Sequence, residues 1–428
     1  MARLIRGLAV LYLLAVAFFS WGWLAVKLEV FPYSQLQPLY ADLHAFFAES
    51  HRDNVGDIIK YDHQERKSGF DFSGLQRRDD TFADDGYLLV SRYSKGDRQT
   101  VVELHSLASG EVLHKWVPDL AAIFALSPSF NTGVNTRAAY RSQHPLLLDN
   151  GDLVIGSGEG PLARIDACGR PVWVIERHFH HSIELDGDGN LLVPVALGEG
   201  PNDLGVAMRD DGFAVVSTAG EVLREFSLYQ ALMAGGYRGL IYGVGEFEHD
   251  RFHLNDVQPV PGNPELVLLS IRNLSAIAEF NLRTGVINWL KSGPWLNQHD
   301  VNVLDDGWIS VFGNDFARGA NTLMAAGHSE IYLYHPQSGE IATPYTAVLA
   351  AADMRTEYEG RARVLANGDA FIEETNRDRM LRVSRDTMRW EFVNGVTATS
   401  TGALHWSRYL DSSQVTPQLR DHLTCVSP

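Results

Sequence analysis

Cysteine is almost absent from this chain: Cys168 and Cys425 are the two it has in 428 residues. Two thiols cannot build a metal site by themselves, so thiolate zinc or cluster chemistry is excluded. They can form at most one disulfide, if the compartment is oxidising and the tail folds back, and spacing alone does not decide this. Basic charge is also scarce. Lys and Arg total 36 against 53 Asp and Glu, a net charge of −17, so the surface should repel nucleic acid and anionic headgroups. An anionic small molecule would need a local basic pocket set against that field. Past residue 84 no long stretch shows helical periodicity, which leaves strands as the building material.

The N-terminus has a different character. Gly7 to Val26 is a run of twenty residues without a charged side chain, long enough to cross the roughly 30 Å hydrocarbon layer as a helix. Arg3 and Arg6 precede it, while Lys27 and Glu29 follow and cancel. The positive-inside rule therefore predicts a cytoplasmic tail over 1–6, a single-pass transmembrane anchor over 7–26, and the remainder on the periplasmic or extracytoplasmic side. Trp21 and Trp23 sit where an aromatic belt would place them. A cleaved signal peptide is the competing reading, but its apolar region would span only roughly 7–15 residues, and no good A-x-A-like site precedes Pro32. Within Tyr33–Ser50, Leu36, Leu39, Tyr40, Leu43, Phe46 and Phe47 fall near helical spacing. They predict an amphipathic helix inside a linker that spans 27–80.

From about residue 84 one hairpin recurs: an apolar strand, a short polar turn usually holding Gly, and another apolar strand. Its copies centre on Gly110, Gly169, Gly220, Gly285 and Gly339, with a degenerate sixth at Met388, at intervals of 59, 51, 65, 54 and 49 residues. A second hairpin, with an Asp/Asn-Gly turn leading into an apolar strand, precedes most copies: DDGYLLVS, LDNGDLVIGS, LDGDGNLLVPV, LDDGWISVFG and LANGDAFIEE. VPGNPELVLLS plays the same part with a longer turn. Two hairpins per unit make four strands, and a repeat near 50 residues is the spacing of propeller blades. The expected fold is all-β: a six-bladed β-propeller over 81–410, preceded by one transmembrane helix and followed by a tail over 411–428. A seventh blade would need strands from 121–143 or the tail.

Histidines gather at one place in this repeat. QHPLLLDNG holds His144, HHSIELDGDG holds His180 and His181, FHLNDVQPVPGN holds His253, and QHDVNVLDDG holds His299. In the sixth unit Arg361 and Arg363 occupy that region. The first strand of a blade lines the central channel, so residues at its start surround one mouth of that channel. A single histidine at a strand start is most often a packing residue, but several at one offset point to a shared pocket. His178, His249, His328, His335 and His405 lack the offset and read as surface, turn or core residues. Clustered imidazoles suit metal ligation, acid–base work or nucleophilic catalysis. The first-strand starts of separate blades are expected to lie too far apart to converge on one ion, so no metal and no cofactor are expected. Basic donors around a tetrahedral anion fit better.

At His253–Arg272 and His299–Asn314 the sequence resembles the bacterial arylsulfate sulfotransferase family, whose members are extracytoplasmic six-bladed propellers. The matching stretches are HLNDVQPVPGNPELVLLSIRNLSAIAEFNLRTGVINWL and NQHDVNVLDDGWISVFGND, with FHHSIELDGDGNLLV as the preceding blade. The likeness covers roughly residues 140–400 and is strongest over 180–320. It implies transfer of a sulfuryl group from a phenolic sulfate ester to a phenol, without a nucleotide sulfate donor. His299 matches the family's nucleophile. His253, Arg272 and His181 match groups that hold sulfuryl oxygens or handle the phenolic proton, and Asn255, Asn314, His144 and His180 are expected around the substrate. The chain departs from the family in lacking an N-terminal β-sandwich, in its apparent anchor, and in reading Gly313-Asn314-Asp315 where Asp-Asn-Gly is frequent. Substrate class and homodimerisation are therefore left open. Two other readings stand beside it: a non-catalytic propeller that binds a ligand, glycan or protein, and a metal- or quinone-dependent oxidoreductase, for which there is no tandem tryptophan-docking repeat.

Overall fold

A computed structural model describes residues 65–130, 140–200, 203–245, 247–317, 323–325 and 327–425, with Tyr12, Val16, Ser20 and Trp21 as helical positions. The expected anchor over 7–26, apart from those four residues, and the amphipathic helix within 33–50 lie outside the described residues. Among the described residues no helix is long and apolar enough to cross a membrane. Residues 64–428 form a compact unit separate from 1–63, and among the described residues it carries every strand and every candidate site residue.

That unit is all-β and propeller-like, made of six antiparallel four-stranded groups in succession. The second group runs Gln143–Leu147, Leu153–Gly156, Gly160–Ile165 and Pro171–Phe179, and the third Glu184–Leu185, Leu191–Glu199, Arg209–Val216 and Val222–Ser227. A single pairing, Val195 with Phe179, joins these two into one sheet. The fourth is Leu254–Pro259, Leu266–Ile271, Ala276–Asn281 and Val286–Ser292, and the fifth is Asp300–Val303, Ile309–Gly313, Glu330–Tyr334 and Ile341–Ala342. The sixth is Arg361–Val364, Ala370–Glu374, Arg379–Val383 and Met388–Val393, with Gly74–Arg77 added at its outer edge. The first group takes Tyr87–Ser94, Gln99–Ser106 and Val112–Trp116 from the start of the chain, and its innermost strand, Arg408–Leu410, from the end.

Alternation of side chains along each strand explains the packing. Val267, Leu269 and Ile271 point into a core shared with the third group, while Leu268 between them points into a core shared with the fifth. The same division yields six apolar clusters, one at each junction between neighbouring groups. The last joins Leu88 and Val90 of the first group to Phe371, Met380 and Trp390 of the sixth, which closes the circle. Strands with both faces buried carry continuous apolar runs rather than polar alternation, as in Leu266–Ile271.

Two segments at the margins differ from expectation. Residues 65–80, placed in the linker, contribute Glu65–Lys67, paired with Ser400–Gly402, and Gly74–Arg77, paired with Met388–Val393. Their polar composition hid them, because edge strands on the rim need only one apolar face. The tail after 411 folds back: Val415, Leu419 and Leu423 join the core between the first and second groups, and a disulfide links Cys425 to Cys168.

Candidate active site

Each group enters its innermost strand through one non-glycine residue in the left-handed region, within three residues of the strand's start. These are His144 (φ 48°), His181 (59°), His253 (54°), Asn297 (51°), Glu359 (57°) and Trp406 (59°). Such a conformation costs about 1 kcal/mol or more outside glycine, and its recurrence in all six groups makes it part of how the strands are delivered to the centre. His299 is not the counterpart of the other three histidines, as the alignment on turns suggested. Asn297 is, and His299 lies two residues further on.

His181, His253 and His299 nevertheless converge. The His181 ring centroid is 4.9 Å from His253 and 6.3 Å from His299. Trp406 completes the group, 5.8 Å from His181 and 6.1 Å from His299. His144 reaches the group through Trp406, at 5.4 Å. Its own nitrogens are engaged by protein: Nδ1 accepts from the Ile183 N–H at 3.0 Å, and Nε2 lies 3.3 Å from Glu184 and against Arg361. Burial, then Arg408 and Arg361, hold it well below the ordinary imidazole range, so it is a neutral packing element of the channel.

The hydrogen bonds of Asn314 set the state of His299. Asn314 Nδ2 donates to the carbonyls of Thr356 (2.9 Å) and Glu359 (2.8 Å), which turns Oδ1 toward His299. His299 Nδ1 lies 2.7 Å from that oxygen and 3.2 Å from the Asn297 carbonyl. Two acceptors require a donor, so the proton sits on Nδ1 and Nε2 carries the lone pair. That lone pair accepts from the Glu359 N–H at 3.0 Å. Burial and then the charge of Arg272 push the His299 pKa well below its ordinary value, against the raising effect of the Asn314 bond. The ring is neutral.

The other imidazoles hang on carboxylates. His253 Nδ1 bonds Asp250 at 2.5 Å. Asp250 stays below the usual carboxylate range although burial opposes it, because His253 and Arg209 hold it ionised. His180 Nε2 bonds Asp211 at 2.9 Å, and His180 Nδ1 meets His181 Nδ1 at 2.8 Å. Asp211, ionised by His180 and Arg209 against its burial, thus fixes His180, and His180 fixes His181. Burial first, then His253, His180 and His299, depress the His181 pKa. His180 is a support behind the site.

Arg272 begins a short turn after Leu266–Ile271. Its backbone N–H donates to the His253 carbonyl at 3.1 Å, and its guanidinium lies 5.6 Å from the Tyr358 ring centre. Asn255 is fully buried, and its Nδ2 donates to the Gln298 carbonyl at 3.1 Å, fixing the backbone just before His299. Asn255 and Asn314 therefore bond protein groups that position His299. Asp211, Asp250, Glu359 and Trp406 were missed. Trp406 had a signal: the DDGYLLVS hairpin is the one copy with no inner strand ahead of it, so that strand had to come from elsewhere in the chain. Among the described residues no group of three or more His, Cys, Asp or Glu is arranged to hold a metal ion.

Comparison with known proteins adds one finding about family. The sequence model described as "Arylsulfotransferase (ASST)" matches residues 143–395, more than half the chain and all of the imidazole site except Trp406. No curated protein matches the sequence. Solved structures similar to it include a protein of unknown function from Bacteroides caccae, with a TM-score of 0.49 and 13% identity, over 76% of this chain and 99% of that one. The hydrazine synthase of Kuenenia stuttgartiensis gives 0.41 and 10%, over 67% and 70%. BamB from Moraxella catarrhalis gives 0.34 and 12%, over 80% and 76%.

Proposed function

The chain belongs to the arylsulfotransferase family, and from that premise we propose that it is a six-bladed propeller enzyme that moves a sulfuryl group from a phenolic sulfate ester to a phenol. His299 is the nucleophile and no nucleotide sulfate donor is used. The observation that carries this reading is the state of His299: a buried, neutral imidazole whose tautomer is locked with the lone pair on Nε2.

In the first half-reaction Nε2 attacks sulfur, the N–S bond forms, and the ester S–O bond breaks. His253 hands the leaving phenolate a proton from its imidazolium, which the ionised Asp250 stabilises. In the second half the neutral His253 takes the proton of the acceptor phenol. The phenolic oxygen then attacks sulfur, and the N–S bond breaks to restore the Nε2 lone pair. Arg272 offers a planar fork to the equatorial sulfuryl oxygens, a donor already in place before charge develops. His181, neutral and fixed through His180, donates or accepts beside it. The Glu359 N–H must withdraw from Nε2 before attack, so the donor ester displaces that contact on entry. Splitting the transfer into two steps suits leaving and accepting groups of similar chemistry.

The propeller then stands outside a membrane, held by the 7–26 segment; the Cys168–Cys425 disulfide supports an oxidising compartment. The test is intact-mass measurement after incubation with 4-nitrophenyl sulfate and no acceptor. The wild-type chain should gain one SO3 group and lose it when phenol is added. Release of 4-nitrophenol without any adduct, or an adduct retained by His299→Asn, would remove the nucleophile assignment.

A further inference from the structure

A cavity of about 510 Å³ is lined by Tyr358, whose ring also lies against Arg272. Its wall carries three arginines, Arg66, Arg355 and Arg377, with Phe316 and Tyr358 as aromatic surface and Glu357 as its acid. In a chain of net charge −17, this hollow gathers three guanidiniums, each held by a carboxylate of Asp378, Asp353 or Glu374, so an anionic ligand would be met by directed N–H donors rather than by a net positive field. Each guanidinium has a protein partner that orients it yet uses one nitrogen. Arg66 Nη1 bonds the Thr375 carbonyl and Asp378, both at 3.0 Å. Arg355 Nε bonds Asp353 at 2.8 Å, and Arg377 Nη1 bonds the Asp353 carbonyl at 2.6 Å and lies 3.4 Å and 3.5 Å from the carboxylates of Asp353 and Glu374. A guanidinium has five N–H donors, so the remaining edges can serve a carboxylate.

The cavity touches the chemistry through one residue. Tyr358 lines it, and the next residue, Glu359, gives its N–H to His299 Nε2. We propose that this cavity is a substrate subsite for phenols and phenolic esters that carry a carboxylate, the ring packing on Tyr358 and Phe316 and the carboxylate on the arginines. This inference rests on sulfuryl transfer for what happens at the phenolic oxygen, but its binding half stands apart from catalysis.

The experiment uses His299→Asn protein and calorimetric titration with 4-hydroxyphenylacetate against 4-ethylphenol, a neutral phenol of similar size. The carboxylate should tighten binding about tenfold, the effect of charge-assisted bonds at a half-exposed site, and Arg355→Gln with Arg377→Gln should erase the difference. In the active enzyme the same pair should raise KM for 4-hydroxyphenylacetate about tenfold relative to KM for 4-ethylphenol. If the double variant does not fold, Arg355→Gln alone carries the test, since that side chain is half exposed and bonded to exposed Asp353. Equal affinity for the two phenols, or a difference that survives loss of the arginines, overturns the proposal. A binding difference without any sulfuryl transfer would instead sink the enzymatic reading and leave the subsite standing.

Discussion

Replacing Asn314 with Ala separates a positioning role from a merely structural one. The side chain is fully buried and makes three hydrogen bonds, at 2.7, 2.9 and 2.8 Å. At about 1 kcal/mol each, their loss should destabilise the fold by about 3 kcal/mol, which a domain of ordinary stability survives. The catalytic effect depends on the contacts left around His299. The Asn297 carbonyl at 3.2 Å can still accept the Nδ1 proton, so the loss should fall short of the roughly 10⁴-fold seen when a triad's orienting carboxylate is changed. We expect kcat to fall roughly 30-fold, about 2 kcal/mol, with little change in KM. The pH profile provides the sharper readout. The Asn314 bond raises the His299 pKa, so Asn314→Ala should move the acid limb of kcat to lower pH. Asn314→Asp, which sets a carboxylate against Nδ1–H, should move it up. Release of 4-nitrophenolate from 4-nitrophenyl sulfate in the presence of phenol measures both. A variant with kcat within about twofold of wild type, melting earlier, would refute the positioning role. So would an acid limb that moves up for Asn314→Ala.

Other outcomes derive from the same geometry. Arg272→Lys keeps the charge but loses the planar fork, so transfer should slow by roughly 10²–10³-fold while the SO3 adduct still forms at long times; normal turnover would free Arg272 of this role. Asp250→Asn should slow both half-reactions, because the His253 ring loses the carboxylate that holds it; turnover unchanged in both halves would assign the proton to another group. Stability should fall with acid. His144, His181, His299 and His405 are held below the ordinary value of 6.5, chiefly by burial. Below about pH 6.5 the unfolded chain takes up protons that the folded chain refuses, at up to about 1.4 kcal/mol per pH unit for each histidine. Asp256 and Asp300, raised by burial, and Asp315, pushed up to about 6, act in the opposite direction as pH falls further. A melting temperature that rises between about pH 7.5 and about pH 6, before Asp315 takes up its proton, would contradict the sign of the histidine contribution.

The repeat made much of the architecture readable before any coordinates. Asp/Asn-Gly turns and apolar runs identify four-stranded groups because strands packed on both faces must be apolar throughout. Gly285 and Gly339 do turn between adjacent strands, with φ of 71° and 73°. What escaped is whatever crosses between groups. The pairing of Gly74–Arg77 with Met388–Val393 spans most of the chain, and nothing in a short polar segment announces a distant partner. His253 and His299 were legible because each precedes a turn of the repeat at a similar distance. Asp211 and Asp250 were not, since a carboxylate draws notice only once an imidazole stands beside it. His299 also shows the limit of aligning on turns. Bulges near the inner strands, as between Leu254 and Asp256, shift register, so equal spacing in sequence is not equal position on the backbone.

Closing the circle and completing the site are one event in this fold. The first group lacks an inner strand until Arg408–Leu410 pairs with Tyr87–Leu89. The approach to that strand delivers Trp406, whose ring meets His144, His181 and His299. Its backbone N–H and that of Ser407 are held by Glu373 of the sixth group at 2.7 and 2.6 Å, so the sixth group sets where the tryptophan stands. Beyond the strand, Leu419 and Leu423 pack on the first and second groups, and the Cys168–Cys425 disulfide ties this segment to the second. The closing segment is thus anchored on both sides of the gap it fills. Without it the imidazoles lack one wall and stand open to water, which would remove the burial that holds His181 and His299 neutral.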